Sequence, residues 1–415
     1  MEKKLKTDFD KLLVSSTFSI QEIENKRESL NHFLKNGFPS RKLENWKFSD
    51  ISQVIQKNIG ELSFYNDYNI KNEIDETVFV KDFKHNKIVI VNGKVEKFNF
   101  EYEESDKVKV TTLDTHNDKI DKRNSLISLN NSFSDKSHKI LIKKNYSLNK
   151  PLIIYQITNK NLNNTNINLQ LSFELEENSA LKMINIYDDD SEKNFINILF
   201  NFKLDKNAIL KNYKIDKKIN TNLKYDFSNI IQKENSISET FIFSAGSDFL
   251  KNEINCNLEG KYSSAFINGI HYLSNNKHHE IRTNTNHLFE NTKSYQLIKS
   301  VIDNNSKSVY QGRIHVDSKA QKTDGYQLSK AILLNDQAEF NAKPELEIYA
   351  DDVKCSHGSA SGSINEDSIF YLMSRGLDYK VARNLLINGF LLDVVEKITD
   401  EQIKKLIINI IGLKK

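Results

Sequence analysis

The sequence predicts a mainly β protein: a long series of short strands stacked as a solenoid, with helical regions at both ends. Three observations predict it. From about Ser137 to Ser363, apolar and polar residues alternate in short runs such as "INLQLSFELEENSALKMINIY" and "INILFNFKLDKNAILKNYKI", the period of strands with one buried face. Polar turns recur at "ENSAL" (Asn178), "KNAIL" (Asn207) and "ENSIS" (Asn235). Their offset of about 28 residues fits coils that each bury an inner face on their neighbours. The two ends instead carry apolar residues at helical spacing. The repeat is degenerate, so alternation alone leaves an irregular β-sandwich open.

Four regions follow in order. Residues 1–76 read as an N-terminal helical region. "FDKLLVSSTFSIQEIENKRESLNHFLKNGF" sets Leu12, Leu13, Ile20, Ile23, Leu30, Phe33 and Leu34 at helical spacings, and Gly37 and Pro39 stop the pattern. Residues 77–136 form a mixed connecting region. There Asn92-Gly93 between two alternating runs in "NKIVIVNGKVEKFNF" predicts a hairpin. Residues 137–364 are the β core, and 365–415 a C-terminal helical domain. In that domain Asn365 caps "EDSIFYLMSR" and Gly376 closes it in a left-handed turn. Asp378 caps the next helix, and Thr399 with Gln402 has capping-box spacing before the last. Phe370, Leu372, Met373, Leu385, Leu386, Phe390, Leu391, Val394 and Val395 supply a wide apolar face. It packs on the β body or docks a partner; the sequence leaves both readings standing.

Composition excludes several function classes. Lys and Arg total 59 against 56 Asp and Glu, and the charges are scattered. Nucleic acid needs a basic stripe or domain, so none is expected as a partner. Two cysteines, Cys256 and Cys355, are too few for a disulfide framework or for a four-cysteine site within one chain. The N-terminus lacks an apolar core of signal-peptide length, and no apolar run reaches the ~18 residues of a membrane span. A soluble cytoplasmic chain without a membrane partner is therefore expected. There is no phosphate-binding loop, nucleophile elbow, H-E-x-x-H or C-x-x-C.

His271, His278, His279, His287 and His315 gather in one stretch of the strand region. Adjacent strand residues point to opposite faces, so His278 and His279 would not easily share one ion. Solvated surface histidines are expected. Asp188-Asp189-Asp190 and Asp351-Asp352 fall where alternation breaks and read as turns. A carbohydrate-active β-helix enzyme stays a distant alternative, with no carboxylate-lined groove to support it.

"DDVKCSHGSASG" is the most suggestive stretch. After a corner at Asp351-Asp352, Val353, Cys355 and His357 share one strand face. That spacing suits two ligands to one metal, or a thiol whose pKa an imidazole lowers. The small residues after His357 let another backbone approach closely. The same residues also fit a buried cysteine beside a histidine bonded to a carbonyl, in a permissive turn.

"KPELEIYADDVKCSHGSASGSINEDSIFYLMSRGL", followed by "ARNLLINGFLLDVV", resembles the C-terminal signature of the SufB/SufD family of iron–sulfur cluster assembly proteins. "PSRKLENWKFSD" resembles the family's N-terminal motif, with Glu44, Trp46 and Lys47 in place, and Val309 to Leu334 resembles its strand region. Glycine after His357, the chain length and the short N-terminal helical region favour the SufD branch. The resemblance implies a right-handed parallel β-helix between helical end regions. It implies a non-catalytic scaffold in complex with a SufB-like subunit and a SufC-like ATPase, which supplies the ATP hydrolysis. SufC docking would use Phe370, Tyr371, Arg375, Gly376, Leu386 and Phe390. His357 would lie at the SufB interface as a metal ligand shared with SufB, with Cys355 beside it, around a transient iron–sulfur cluster. The resemblance also admits a reduced flavin on the complex and a homodimer of the chain alone. The alternative within the family is a SufB-type subunit that accepts sulfur itself, but no motif assigns that role to Cys256.

Overall fold

The computed structural model describes residues 2–67, 74, 76–113 and 124–413. The N-terminal helices are α1 (Glu2–Ser15), α2 (Ile20–Asn36) and α3 (Ile51–Asn58). Three strands follow, β1 (Asn86–Val91), β2 (Lys94–Asn99) and β3 (Val108–Leu113), then α4 (Ser125–Phe133). The stack continues through β4 (Ser137–Ile142), β5 (Leu152–Thr158), β6 (Asn166–Leu175), β7 (Ala180–Asp189), β8 (Phe195–Leu204) and β9 (Ile209–Asp216). Next come β10 (Leu223–Gln232), β11 (Ile237–Ser244), β12 (Phe249–Leu258), β13 (Ser264–Leu273) and β14 (His278–His287). It ends with β15 (Lys293–Ile302), β16 (Lys307–Val316), β17 (Thr323–Leu333), β18 (Glu339–Ile348) and β19 (Val353–Ser363). The C-terminal helices are α5 (Glu366–Ser374), α6 (Tyr379–Val395) and α7 (Glu401–Ile411).

From β4 onward, consecutive strands fall in opposite sheets, and each pairs in parallel with the strand two further along. The molecule is therefore a parallel β-solenoid. Equivalent positions on neighbouring coils, such as Lys206 and Glu234, lie 28 residues apart. The asparagines that mark the repeat explain it. Asn145, Asn178, Asn207 and Asn235 all have φ of 57° to 59°, a left-handed turn that asparagine tolerates. Their amides also ladder: Asn207 donates to Asn178, and Asn178 to Asn145, both at 2.7 Å. Asn92-Gly93 makes the expected antiparallel hairpin of β1 and β2.

The helices cover opposite outer faces. Leu5, Phe9, Leu12, Leu30, Phe33 and Trp46 pack on outward residues of β8, β10 and β12, including Leu199, Tyr225 and Phe249. Ile387, Leu391, Val394, Ile403 and Ile407 pack on the other sheet, against Tyr213, Phe241, Phe243 and Val301. Ser19 starts α2 with a capping box to Glu22 that leaves Ile20 exposed, although spacing had set Ile20 on the apolar face. The cap of α7 is Asp400, not Thr399. The Asp400 carboxylate accepts from the Gln402 and Ile403 amides at 3.1 Å, whereas the Thr399 hydroxyl pairs with Lys211.

The lumen changes character along the stack. Phe173, Phe200 and Phe202 fill it near β6 and β8. Deeper coils hold ions, with Lys224 between Asp189 and Asp216 and Lys214 bonded to Asp226, all fully buried. Buried charges persist only when paired. Asp189 thus closes β7 inside the lumen rather than forming a turn, with Asp188 also in the strand. The histidines are corrected likewise: His271, His279 and His287 are fully buried, not solvated. They bond Ser308, Ser244 with the Ser247 carbonyl, and Thr292 with Ser294. These hydroxyls and the carbonyl offset the desolvation of the rings. His278 and His315 are the half-buried ones.

Candidate functional site

Both sheets stop at the same end. β19 is the last strand of one and β18 of the other, so each presents an unpaired edge. Among the described residues no further coil covers them; β18 is half-buried between exposed ends, while β19 is mostly exposed. An exposed edge carries free backbone donors and acceptors, a template for another chain.

The Cys-x-His pair lies on this last coil. Asp351-Asp352 forms the expected bend, and β19 begins at Val353. Register places Cys355 beside Gly325 and His357 beside Gln327. Cys355 points to the lumen side, within a cluster that contains Ile314, Leu346 and Val353. His357 shares its face by strand parity but is exposed, because it sits over the open mouth of the solenoid. Burial pushes the Cys355 thiol up, with the Gly325 backbone bond opposing and Asp324 adding to the rise. His357 does not lower it, so the activated-thiol reading is not realised in this chain by itself. Among the described residues, no three His, Cys, Asp or Glu side chains converge as a metal site.

The residues expected to dock a partner divide between two surfaces. Phe370, Tyr371, Arg375 and Gly376 lie together at the exposed end of α5. Phe370 is 74% and Tyr371 57% exposed, and the Arg375 guanidinium lies 5.3 Å from the Tyr371 ring centre. Gly376 has a φ of 92°, the left-handed conformation expected of it. Leu386 and Phe390 instead pack against the apolar layer over the sheet. The Phe390 carbonyl accepts from buried Lys299 at 2.9 Å. Tyr379, Val381 and Leu385 are also exposed and extend the α5 surface onto α6. Of the two readings weighed from the sequence, packing holds for one flank of the apolar face, and the other flank is bare.

The N-terminal motif is a fastener. Trp46 is buried against Tyr225, with the Lys251 ammonium 4.4 Å from its ring centre. The Glu44 carbonyl accepts from Gln311 at 3.0 Å, and its carboxylate pairs with Lys343. Cys256 lies deep in the lumen, donates to Gln232 Oε1 at 3.1 Å, and is pushed up to about 12 by burial.

Comparison with known proteins decides the family. Residues 157–390 match the model described as "SUF system FeS cluster assembly, SufBD core domain", and residues 9–154 match "SufBD protein N-terminal region". The chain belongs to the SufBD family. It is similar to the iron–sulfur cluster assembly protein SufD of Escherichia coli, with 26% identity over 93% of this chain and 91% of that protein. It also resembles SufD of Bacillus subtilis, 31% identical over 31% of this chain and 29% of that one. A third relative is the chloroplastic protein ABCI7 of Arabidopsis thaliana, 28% identical over 55% of this chain and 49% of that one. As a SufBD protein the chain is an iron–sulfur cluster assembly subunit of scaffold type. That membership removes the carbohydrate-active alternative. Among the described residues no helix is long and apolar enough to cross a membrane.

Proposed function

We propose that this chain is a SufD-like scaffold subunit without turnover of its own. Its open coil pairs with a SufB-like subunit, and the nascent iron–sulfur cluster is built in that junction. The observation that carries the reading is the coincidence of Cys355 and His357 with the end where the parallel coils of both sheets run out of partners. A cluster there is cargo. This chain offers a thiol and an imidazole, and the remaining ligands come from the partner. The exposed α5 surface around Phe370, Tyr371 and Arg375 docks a SufC-like ATPase, and nucleotide-driven movement of that ATPase acts on the solenoid through the packed flank of α6. The cytoplasm is the compartment this reading assumes. A SufB-type sulfur acceptor needs a reachable thiolate, which favours the scaffold reading over one built on buried Cys256.

The test is anaerobic co-expression with SufB-like and SufC-like chains. A stable complex with an iron–sulfur absorption band is expected. Cys355→Ala or His357→Ala should leave the complex assembled but lower its cluster content. Phe370→Asp should release the ATPase while circular dichroism stays unchanged. Normal cluster content in both site variants would overturn the assignment.

A further inference from the structure

We propose that Gln327, held by Tyr310, is the positioning residue that accepts a hydrogen bond from the His357 imidazole when that imidazole binds iron; this rests on the reading above. Gln327 is the register neighbour of His357 on β17 and is fully buried, whereas His357 is exposed. It is the polar group directly beneath the imidazole on the lumen side.

Its amide is fixed from below. The Tyr310 hydroxyl lies 2.9 Å from Gln296 Oε1 and 3.1 Å from Gln327 Oε1. A phenol has one proton to give. Gln296 Oε1 also accepts from Thr283 at 2.6 Å, so the phenol proton is shared between the two amide oxygens, and Gln327 Oε1 keeps at least one lone pair either way. Burial pushes the Tyr310 pKa up, which keeps that proton in place. A carbonyl oxygen has two lone pairs, so Gln327 Oε1 retains one. Its Nε2 makes only a long 3.4 Å bond to the Glu345 carbonyl.

One glycine keeps this floor open. Any Cβ at Gly312 would collide with both Gln327 Oε1 and the Tyr310 hydroxyl. Hydrophobic packing does not require a hydrogen-bonded file of Thr283, Gln296, Tyr310 and Gln327 below the mouth. An iron-bound imidazole does require an acceptor for its second N–H, which orients the ring and raises its basicity. The two ring nitrogens point apart, so a ring turned toward the partner aims the other nitrogen back into the lumen. In the isolated chain His357 and Gln327 are not bonded to each other; the bond forms as the ring turns.

The experiment uses the anaerobically assembled complex carrying Gln327→Leu, Tyr310→Phe, Gln327→Glu or His357→Ala. It reads complex assembly, cluster loss to a chelator and the cluster's reduction midpoint. Gln327→Leu and Tyr310→Phe should assemble normally yet lose cluster about 10- to 100-fold faster. Gln327→Glu, which keeps an acceptor, should retain the cluster and lower its midpoint, because added negative charge favours the oxidised state. Tyr310→Phe conserves volume and reports even where Gln327→Leu fails to fold. Unchanged cluster loss and midpoint in Gln327→Leu or Tyr310→Phe, beside a damaged His357→Ala, would overturn the role of Gln327 alone. An undamaged His357→Ala would overturn the underlying site as well.

Discussion

Cys256 and Cys355 are both held as thiols by burial, but to different degrees. Cys256 is pushed to about 12 inside the lumen, while Cys355 is raised and half-buried at the mouth. In the folded chain at about pH 8, iodoacetamide should therefore label Cys355 slowly and leave Cys256 unlabelled until denaturant is added. Mass spectrometry checks this, and prompt native labelling of Cys256 would revive the sulfur-acceptor alternative. The buried histidines make stability depend on pH. Burial lowers His279 to about 4 and His287 to about 3, against 6.5 in the unfolded chain. Below about pH 6.5 the unfolded chain binds protons that the native state refuses, so stability falls as pH drops toward the folded values. Each of the two histidines adds a slope approaching ~1.4 kcal/mol per pH unit. Urea unfolding between about pH 7.5 and about pH 5 should show that decline; a flat profile would contradict it.

Helix ends and turns carry the next scale. Asp400 satisfies two backbone N–H groups of α7 and also pairs with Lys182 at 2.6 Å. Asp400→Ala should cost about 1–2 kcal/mol, and Thr399→Ala less than about 0.5 kcal/mol. Equilibrium denaturation of the two variants separates them, and equal costs would reject the cap. Asn365 and Asp378 were legible as caps because the side chain and the receiving amides lie within one turn. Thr399 misled because two adjacent residues could both cap, and only the path of the chain toward Lys211 and Glu239 decides which one turns inward. On α6, Leu385 is exposed and Leu391 buried although both are leucine. The direction from which the sheet approaches makes that difference.

The whole molecule is a stack whose parallel coils end at β18 and β19, as its antiparallel start ends at β2 and β3. Strands of the middle coils have a neighbour on both sides, whereas β18 and β19 have one. Backbone amides of β18 and β19 should exchange with solvent faster than those of β10 to β14. Adding a SufB-like partner should slow exchange there selectively. Hydrogen-exchange mass spectrometry reads both outcomes. Equal protection of the last coil and the middle coils in the isolated chain would argue against an open edge.

The sequence by itself determined the strand content, the repeat length and the helical ends, and its family resemblance made a solenoid of them. Strand alternation and left-handed asparagine turns are local properties, and they repeat along the chain. It also paired Cys355 with His357, because residues two apart on a strand share a face. Ile281 shares its parity with His279 and His287, so phase alone could have sent those histidines inward. Hydropathy placed them outside because it treats imidazole as polar whatever its partners. Only the tertiary structure decided that the lumen carries hydroxyls and paired ions to receive them. Only it decided that the Cys-x-His strand ends its sheet, and that Gln327 and Tyr310 lie beneath His357. The reason is physical: the cost of burying a polar group, and the availability of a strand edge, depend on neighbours one coil away.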